Sequence, residues 1–352
     1  MNSLSKTNEL VKIICQISKK EGLKTGFTIG NTSKKNNNSL YFTPVRNTGV
    51  MVFAGVIVYS EKQAIDIAKA IDGKVDYILV DAEKKIPAKL SILGDSANIE
   101  RAVREAIRKS TLWVYKGNDI AVDAVDALLT QLLKKSIRGL GGAKVAILGA
   151  GNLGTKLALK LVERGANVTI TRQDEYKLNS IVEALNFIKP VNTLSSVYGE
   201  INNKVASKNA DIIIGTTHGK EVITRDIVKC LADGAVIVDV GKGTLYPDAI
   251  SEADKNNIDI YRLDVTAAFI GTIHRLLETE KMVENKLGRR ELYNEKLVSG
   301  GLLGCLNEVV VDNIWNPTQI FGIADGEGDF IRELSKEDIK RLNILKNKFE
   351  NS

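Results

Sequence analysis

The chain has 352 residues, of which 44% are hydrophobic and 26% are charged, with 5 prolines and 3 cysteines. This composition excludes a disordered chain, a collagen and a small disulfide scaffold, because those classes need few apolar residues, a glycine at every third position or many cysteines. The formal net charge is +6, but basic residues are interspersed with acidic ones and aromatic residues make up only 5%. We therefore expect a small polar or anionic molecule as partner and no nucleic acid.

Signals for export or membrane insertion are missing from this sequence. The N-terminal segment carries polar residues every few positions, and no run approaches the roughly 18 apolar residues of a membrane span. The three cysteines, Cys15, Cys230 and Cys305, are odd in number and far apart. These features predict reduced core thiols and a cytoplasmic protein without a membrane partner.

Residues 1–118 are predicted to form an N-terminal α/β domain that carries substrate or catalytic residues. Apolar spacing predicts a first helix that ends near Gly22, and the polar composition of 31–39 predicts a loop. Apolar strands and helices then alternate, with strands near 51–60, 75–80 and 111–115 and helices near 61–71 and 97–109. Apolar strands separated by helices are buried on both faces, which predicts a parallel sheet.

Residues 119–265 are predicted to form a second α/β domain, a Rossmann-type doubly wound parallel sheet. After a helix near 119–135 and the glycines of SIRGLGG, strands are predicted at 144–150, 167–171, 211–217, 235–240 and 259–265, with helices between them. Residues 266–352 are predicted to be a helical C-terminal extension that packs back on the cleft or on a dimer interface. Its helices are predicted over 266–290, 301–314 and the lysine-rich tail, and 316–330 is predicted as a loop or short strand.

Gly149, Gly151 and Gly154 form a G-x-G-x-x-G pattern between the strand VAIL and a helix that starts at Asn152 and Leu153. In this context the first glycine closes a tight turn, the second admits a pyrophosphate, and the third lets the helix pack against the strand. The phosphates would bind at the helix N-terminus. The alternative is a glycine-rich turn without a ligand, and the strand and helix around it favour dinucleotide binding.

The end of the following strand predicts which dinucleotide binds. An acidic residue that accepts hydrogen bonds from the ribose of NAD is usual here, but this chain has Thr171 and Arg172. Arginine pairs with the 2'-phosphate of NADP, so NADP is predicted, with NAD as the alternative. Asp174 is predicted to cap the next helix.

Residues that directly follow the predicted strands are the candidates for chemistry, because ligands bind at the carboxyl ends of the strands. Thr216 and Thr217 are predicted to contact the cofactor, and His218 is either a general acid or a polar loop residue. Gly241 allows close approach to the nicotinamide, and Lys242 is either an anion clamp or a solvated side chain.

The first domain offers its own candidates at the start of the helix that leads into the cofactor domain. Lys116 and Asp119 can share a proton with a substrate hydroxyl or imine, unless Asn118 or Asp119 only caps the helix. No metal site is predicted, because the chain has only 2 histidines and scattered cysteines.

The first domain, the bridging helix and the segments GLGGAKVAILGAGNLGTKLALKL and GAVIVDVG together resemble the shikimate dehydrogenase and methylenetetrahydrofolate dehydrogenase group. Amino-acid dehydrogenases and glutamyl-tRNA reductase are broader relatives. The resemblance covers about residues 112–245 and implies an N-terminal catalytic domain joined to a Rossmann domain. It implies a catalytic aspartate at Asp119 and a catalytic lysine at a strand end, for which Lys34, Lys84 and Lys116 are all possible.

The sequence therefore predicts a cytoplasmic, homo-oligomeric enzyme, for example a homodimer, in which NADP(H) exchanges hydride with a small keto, hydroxy or imino acid or a similar biosynthetic intermediate. Lys116 and Asp119 would handle the proton, and His218 and Lys242 would orient the substrate and nicotinamide. One alternative is a lyase or hydrolase that keeps NAD tightly bound for internal redox, as adenosylhomocysteinase and ornithine cyclodeaminase do. Another is a dinucleotide-sensing protein without chemistry.

Overall fold

The computed structural model describes residues 3–32, 40–86, 97–299 and 301–350. The chain divides into two structural units, Met1–Thr272 and Ile273–Ser352. The first unit contains a five-stranded and a six-stranded sheet, and the second contains a four-stranded sheet. The predicted fold class, two α/β sheets of which the second is Rossmann-type, is confirmed. The predicted domain limits 1–118, 119–265 and 266–352 stay a prediction.

The five-stranded sheet has the strand order β2-β3-β1-β4-β5. All neighbouring strands are parallel except β2, which runs antiparallel to β3 at the edge. One face is covered by helices through a core that includes Phe27, Ile67 and Val103. The elements of this half are α1 Ser3–Glu21, β1 Lys24–Asn31, β2 Tyr41–Asn47, β3 Met51–Val58, α2 Glu61–Ile71, β4 Tyr77–Asp81, α3 Ile99–Ala106 and β5 Thr111–Tyr115.

The central strand β1 was not predicted, because its sequence KTGFTIGN reads as polar and glycine-rich. The structure explains the glycines by the packing of the sheet. A Cβ at Gly26 would lie 2.6 Å from Met51 Sδ, and a Cβ at Gly30 would lie 2.6 Å from Ile57 Cδ1. Seven of the eight residues of β1 are buried, so its position in the sheet, and not its composition, makes it a strand.

The six-stranded sheet has the order β11-β10-β9-β6-β7-β8, with every pair parallel. The chain starts in the middle at β6, winds outwards to β8, and returns to wind outwards through β9 in the other direction, as in a doubly wound sheet. Strand β8 and helix α7 were not predicted, because each has only four residues. The elements are α4 Gly117–Leu132, β6 Lys144–Leu148, α5 Asn152–Glu163, β7 Asn167–Thr171, α6 Glu175–Ile188, β8 Val197–Glu200, α7 Asn203–Ala206, β9 Ile212–Gly215, α8 Arg225–Val228, β10 Val236–Asp239, α9 Pro247–Lys255 and β11 Asp259–Arg262.

The C-terminal extension contains a sheet as well as helices, which corrects its description as purely helical. The helix predicted over 301–314 is wrong: the β-branched run Val309–Val311 forms a strand that pairs with β13 and β15. Of the loop or short strand predicted over 316–330, the structure shows a short strand at Ile320–Ile323. The final helix is confirmed, and α11 contributes Leu345 to the core of the sheet. The elements are α10 Thr266–Asn285, β12 Arg289–Leu292, β13 Glu295–Ser299, β14 Val309–Val311, β15 Ile320–Ile323 and α11 Lys336–Glu350.

Among the described residues, no helix is long and apolar enough to cross a membrane. The three cysteines are free thiols, and Cys15 and Cys230 are half-buried. Cys305 is exposed, so its predicted place in a core is wrong. The role of the C-terminal extension in specificity or in dimer contacts stays a prediction.

Candidate active site

A cleft of about 960 Å³ lies where strand ends of the two sheets of the first unit meet. In a parallel α/β sheet the carboxyl ends of the strands form one edge, which is where ligands bind. All eleven residues predicted to bind the cofactor line this cleft, and so does His218. The cleft is also lined by Asn31, Thr32 and Lys85 of the five-stranded half and by Asn118 at the start of α4.

The glycine-rich turn between β6 and α5 has the geometry that each glycine was predicted to provide. Gly149 has a φ of +119°, which only glycine adopts easily. A Cβ at Gly154 would overlap the carbonyl oxygen of Gly149, so the helix can pack this closely only because the residue is glycine. A Cβ at Gly151 would meet nothing within 4 Å. The space in front of Gly151 is therefore open on the side of the cleft.

Helix α5 starts at this turn without a side-chain cap, because its N-cap residue is Gly151. The first N–H groups of a helix need acceptors, and the positive end of the helix dipole favours an anion there. Asn152 and Leu153, the first two residues of α5, line the cleft. An uncapped helix start beside open space is the arrangement that binds a phosphate.

Arg172 follows β7 and is held against the glycine-rich turn. Its Nη1 donates a hydrogen bond of 2.6 Å to the carbonyl oxygen of Ala150, while its Nε is buried and has no partner. Thr171 is buried at the strand end. Asp174 caps α6 by accepting a hydrogen bond of 3.1 Å from Lys177 N, which confirms its predicted role. The bond from Lys177, the largest cause, holds the pKa of the Asp174 carboxyl below its ordinary value.

The residues after β9 connect the turn to the rest of the cleft. Thr216 Oγ1 lies 2.7 Å from the carbonyl oxygen of Gly149 and donates a hydrogen bond to it. Thr217 Oγ1 donates to the carbonyl oxygen of Lys220 at 2.5 Å. His218 is exposed and lines the cleft. Both hydroxyls therefore fix the backbone, whereas His218 and Lys220 are exposed side chains of this loop that line the cleft.

Asp239, at the end of β10, organises the loop that carries Gly241 and Lys242. Its buried carboxylate accepts hydrogen bonds from Gly243 N at 2.9 Å and from Thr244 Oγ1 at 2.8 Å. Burial raises the pKa of the Asp239 carboxyl, but these hydrogen bonds lower it more, so the net pKa lies below its ordinary value. Lys242 is exposed with a φ of +58°, and its loop is thus fixed in a left-handed turn beside the cleft.

Lys116 and Asp119 lie at the start of α4 but are not among the residues that line the cleft. Lys116 is exposed and is the N-cap residue of the helix. Asp119 pairs with Lys156 of α5, with 2.5 Å between Oδ1 and Nζ. The structure therefore does not bring these two side chains together with the predicted cofactor residues, and their catalytic role stays a prediction.

A charged cluster that was not predicted follows β4, and its Lys85 lines the cleft instead. Lys85 Nζ is 2.9 Å from Asp81 Oδ2 and 2.6 Å from Glu83 Oε2. Burial lowers the pKa of the Lys85 ammonium, but the two carboxylates raise it more, so the net pKa lies above its ordinary value and Lys85 is protonated. Burial and the same carboxylates also raise the pKa of the neighbouring Tyr115 phenol.

The backbone around this cluster links it to the cofactor half. Asn118 N donates to both oxygens of Glu83, at 3.2 and 3.1 Å, and Asn118 Nδ2 donates to Asn152 Oδ1 at 2.9 Å. Of the lysines that the family resemblance allowed, Lys84 is exposed and Lys34 lies outside the described residues. The rule that pointed to residues of the second sheet, polar side chains directly after a strand, would have found Lys85 in the segment YILVDAEKK.

Comparison with known proteins finds a family similar to the part of the chain that forms the six-stranded sheet. Residues 129–244 match the model of the family "Alanine dehydrogenase/PNT, C-terminal domain". This match covers the end of α4, the glycine-rich turn and the strands β6 to β10. This part of the chain is therefore similar to a Rossmann-type domain of dehydrogenases, in agreement with its strand order.

Individual relatives match over about a third of the chain. The alanine dehydrogenase of Staphylococcus haemolyticus (strain JCSC1435) is 32% identical over 114 residues, which are 31% of this chain and 30% of that protein. The NAD(P)+ glycerol-3-phosphate dehydrogenase of Bacillus subtilis (strain 168) is 34% identical over 112 residues, which are 30% of this chain and 32% of that protein. The chain thus matches about a third of the length of these curated relatives.

Among solved structures, the L-tryptophan dehydrogenase of Nostoc punctiforme is similar with a TM-score of 0.41 and 14% identity, over 72% of this chain and 73% of that chain. The hetero-hexameric glutamate dehydrogenase of Thermus thermophilus has a TM-score of 0.40 and 14% identity, over 75% of this chain and 70% of that chain.

Proposed function

We propose that this chain is an NADP(H)-dependent oxidoreductase that acts on a small polar keto, hydroxy or imino acid or a related biosynthetic intermediate. The observation that carries the proposal is the open, uncapped start of α5 at Gly151 in a cleft that is also lined by Lys85. The similarity of residues 129–244 to the alanine dehydrogenase/PNT C-terminal domain supports the same class.

The cleft passes a test of fit for a dinucleotide. A side chain at Gly151 would fill space that nothing in the described chain occupies, and α5 offers N–H donors there without a side-chain acceptor. Arg172 would pair with the 2'-phosphate of NADP, since it lines the cleft and the bond from its Nη1 to Ala150 already fixes it beside the turn. When bound, the nicotinamide supplies the site that gives or accepts a hydride.

Lys85 is the side chain best placed to give a proton to the substrate. It lines the cleft, and Asp81 and Glu83 hold its ammonium in one position. A positioned acid beside a carbonyl or imine stabilises the charge that develops on oxygen or nitrogen during reduction. In this proposal His218 and Lys242 orient substrate and nicotinamide from the opposite wall.

The experiment that tests the proposal first measures binding and then turnover. NADP+ and NAD+ are titrated into the purified full chain by calorimetry, followed by an absorbance screen for NADPH-dependent reduction of keto acids and cyclic imines. We expect Gly151→Asp to weaken dinucleotide binding by on the order of 100-fold, because a carboxylate would occupy the phosphate site. Gly271→Asp, at an exposed glycine with equally open surroundings, is the control.

Three results would contradict the proposal. Absence of dinucleotide binding by the wild type, or equal binding by the wild type and Gly151→Asp, rejects the cofactor site. Binding without net turnover on any substrate points to the alternatives, an enzyme with tightly bound NAD or a dinucleotide sensor. Tight co-purification of NAD separates the first of these from the second.

A further inference from the structure

Helices α4 and α5 lie side by side, and ion pairs join them along their length. Acidic residues of α4 pair with basic residues of α5 in the order Asp119 with Lys156, Asp123 with Lys160, and Asp126 with Arg164. The partners advance together along the chain, so the two helices run parallel and start at the same end. Both first turns, at Asn118 and Asn152, line the cleft.

The start of α4 holds the Lys85 ammonium in place. Asn118 N donates to both carboxylate oxygens of Glu83, at 3.2 and 3.1 Å, and Glu83 Oε2 lies 2.6 Å from Lys85 Nζ. A Cβ at Gly117 would lie 3.2 Å from Lys85 Nζ, so the ammonium lies directly against the first turn of the helix. The positive end of a helix disfavours a cation. Lys85 can therefore occupy this position because carboxylates bind it there.

The side chains of Asn118 and Asn152 join the two helix starts. Nδ2 of Asn118 lies 2.9 Å from Oδ1 of Asn152, which is the first residue of α5. The ion pairs reach α5 only from Lys156 onward, and helix ends fray more readily than the middle of a helix. The asparagine pair therefore holds the first turn of α4 against the turn where the phosphates of a dinucleotide would bind.

We propose that Asn118 is a positioning residue that fixes the Lys85 ammonium relative to the phosphate-binding start of α5. This inference rests on the proposed function and adds a residue to it. Its backbone N–H holds Glu83 and thereby Lys85, and its side chain holds Asn152. A small displacement of a proton donor from the site of hydride transfer slows the reaction, although each ligand can still bind. Asn118 should therefore affect the rate of the reaction and not the affinity for either ligand.

The test compares the full chain with Asn118→Leu, which keeps the approximate shape of the side chain and removes its hydrogen bond. With the substrate found in the screen, we expect kcat at saturating NADPH to fall about tenfold, an effect that the loss of one hydrogen bond can produce. The KM of the substrate and the Kd of NADP+ should change less than about twofold. The solvent deuterium isotope effect on kcat should rise, because proton transfer becomes more rate-limiting. A merely structural role would not change the isotope effect.

Two further variants locate the effect in the contact between the helix starts. Asn152→Leu removes the same hydrogen bond from the other side and should lower kcat to a similar extent. The double variant should lose little more than either single variant, because both changes remove one shared interaction. Asp123→Asn is the matched control, since it breaks an exposed ion pair between the same helices away from the cleft. It should leave kcat within about twofold of the wild type.

The outcomes separate this inference from the proposed function. If NADP+ does not bind or no substrate is reduced, the proposed function fails, and this inference fails with it. If the wild type is active but Asn118→Leu keeps its kcat, or the losses of the two single variants multiply in the double variant, only the inference is overturned. An equal loss in Asp123→Asn also overturns it. Melting curves show which variants fold, and Asn152→Leu tests the same bond if Asn118→Leu does not fold.

Discussion

The strand ends of the two sheets in the first unit present different chemistry to the same cleft. The six-stranded sheet presents mainly backbone, with glycines at 149, 151 and 241 and hydroxyls that bond to carbonyl oxygens. The five-stranded sheet presents the amide of Asn31 and the ammonium of Lys85, which Asp81 and Glu83 hold in place. Backbone groups suit the phosphates of a dinucleotide, which are the same whatever the substrate is. Side chains can differ from one enzyme to another and so can be matched to a particular substrate. In the proposed function, the cofactor therefore binds on the side of the six-stranded sheet and the substrate reacts on the side of the five-stranded sheet.

The largest expected effect on activity comes from removing the ammonium of Lys85. We expect Lys85→Met to lower kcat/KM by on the order of 100- to 10,000-fold, because a positioned general acid contributes that much. Steady-state kinetics on the substrate found in the screen measures it, with a melting curve to show that the variant is folded. Lys84→Met, at the exposed neighbour, should change kcat/KM less than about twofold. A larger loss in Lys116→Met than in Lys85→Met would move the proton-transfer role to Lys116.

A smaller effect, on stability, is expected at Asp239, the carboxylate that organises the loop with Gly241 and Lys242. Asp239→Asn should lower the free energy of unfolding by about 1–3 kcal/mol at neutral pH, because one amide cannot accept all the donors that the carboxylate serves. The folded-state pKa of Asp239 lies below its ordinary value of 3.8. Its contribution is therefore present above pH 3.8 and is lost as the pH falls through the folded pKa. Urea unfolding of both proteins across this range should show the difference shrinking with acid, and a constant difference would refute this origin.

Arg172 is a charged side chain beside the glycine-rich turn. It should decide whether the cleft binds NADP+ or NAD+ more tightly. We expect Arg172→Ser to weaken NADP+ binding about tenfold, through loss of a charge-assisted pair with the 2'-phosphate. Binding of NAD+, which lacks that phosphate, should change about twofold at most. Calorimetric titration with both dinucleotides provides its own control, because loosening of the turn at Ala150 would weaken both equally. An equal loss would therefore leave NADP selection without support.

The smallest effect is expected at the ion pair between α4 and α5. Asp119 and Lys156 are 48% and 37% exposed, and exposed pairs contribute about 0–1 kcal/mol. Asp119→Asn should therefore shift the unfolding midpoint slightly and leave kcat/KM within about threefold. A loss of activity comparable with that of Lys85→Met would instead support the aspartate role implied by the shikimate dehydrogenase resemblance.

The cleft residues on the side of the six-stranded sheet could be predicted from the sequence because their signals are local. Gly149, Gly151 and Gly154 fall within six consecutive residues, and their spacing alone indicates the turn, the phosphate site and the helix start. Arg172 follows at the end of the next strand, where the same fold rule looks for it. Backbone-based recognition leaves a compact sequence pattern, since the glycines are required by close approach and by φ angles.

The cleft residues on the side of the five-stranded sheet could largely not be predicted from the sequence, because they come from distant parts of the chain. Asn31, Lys85 and Asn118 meet only after β1 has been placed in the centre of its sheet, between β3 and β4. The strand β1 itself was missed since its glycines fit the packing of neighbouring strands and not a composition rule. The strand β14 was missed for a related reason, because its pairing with β13 is set by tertiary contacts.

The sequence by itself determined the alternating α/β pattern, the glycine-rich turn and the residues that line the cleft around it, because hydrophobic periodicity and glycine spacing act over a few residues. Only the tertiary structure decided which charged side chains share the cleft. It placed Lys85 between two carboxylates, left the amide oxygen of Asn31 without a partner, and turned Asp119 towards Lys156. The physical reason is that charge and hydrogen-bond partnerships depend on distances across the sheet, which a linear pattern does not contain.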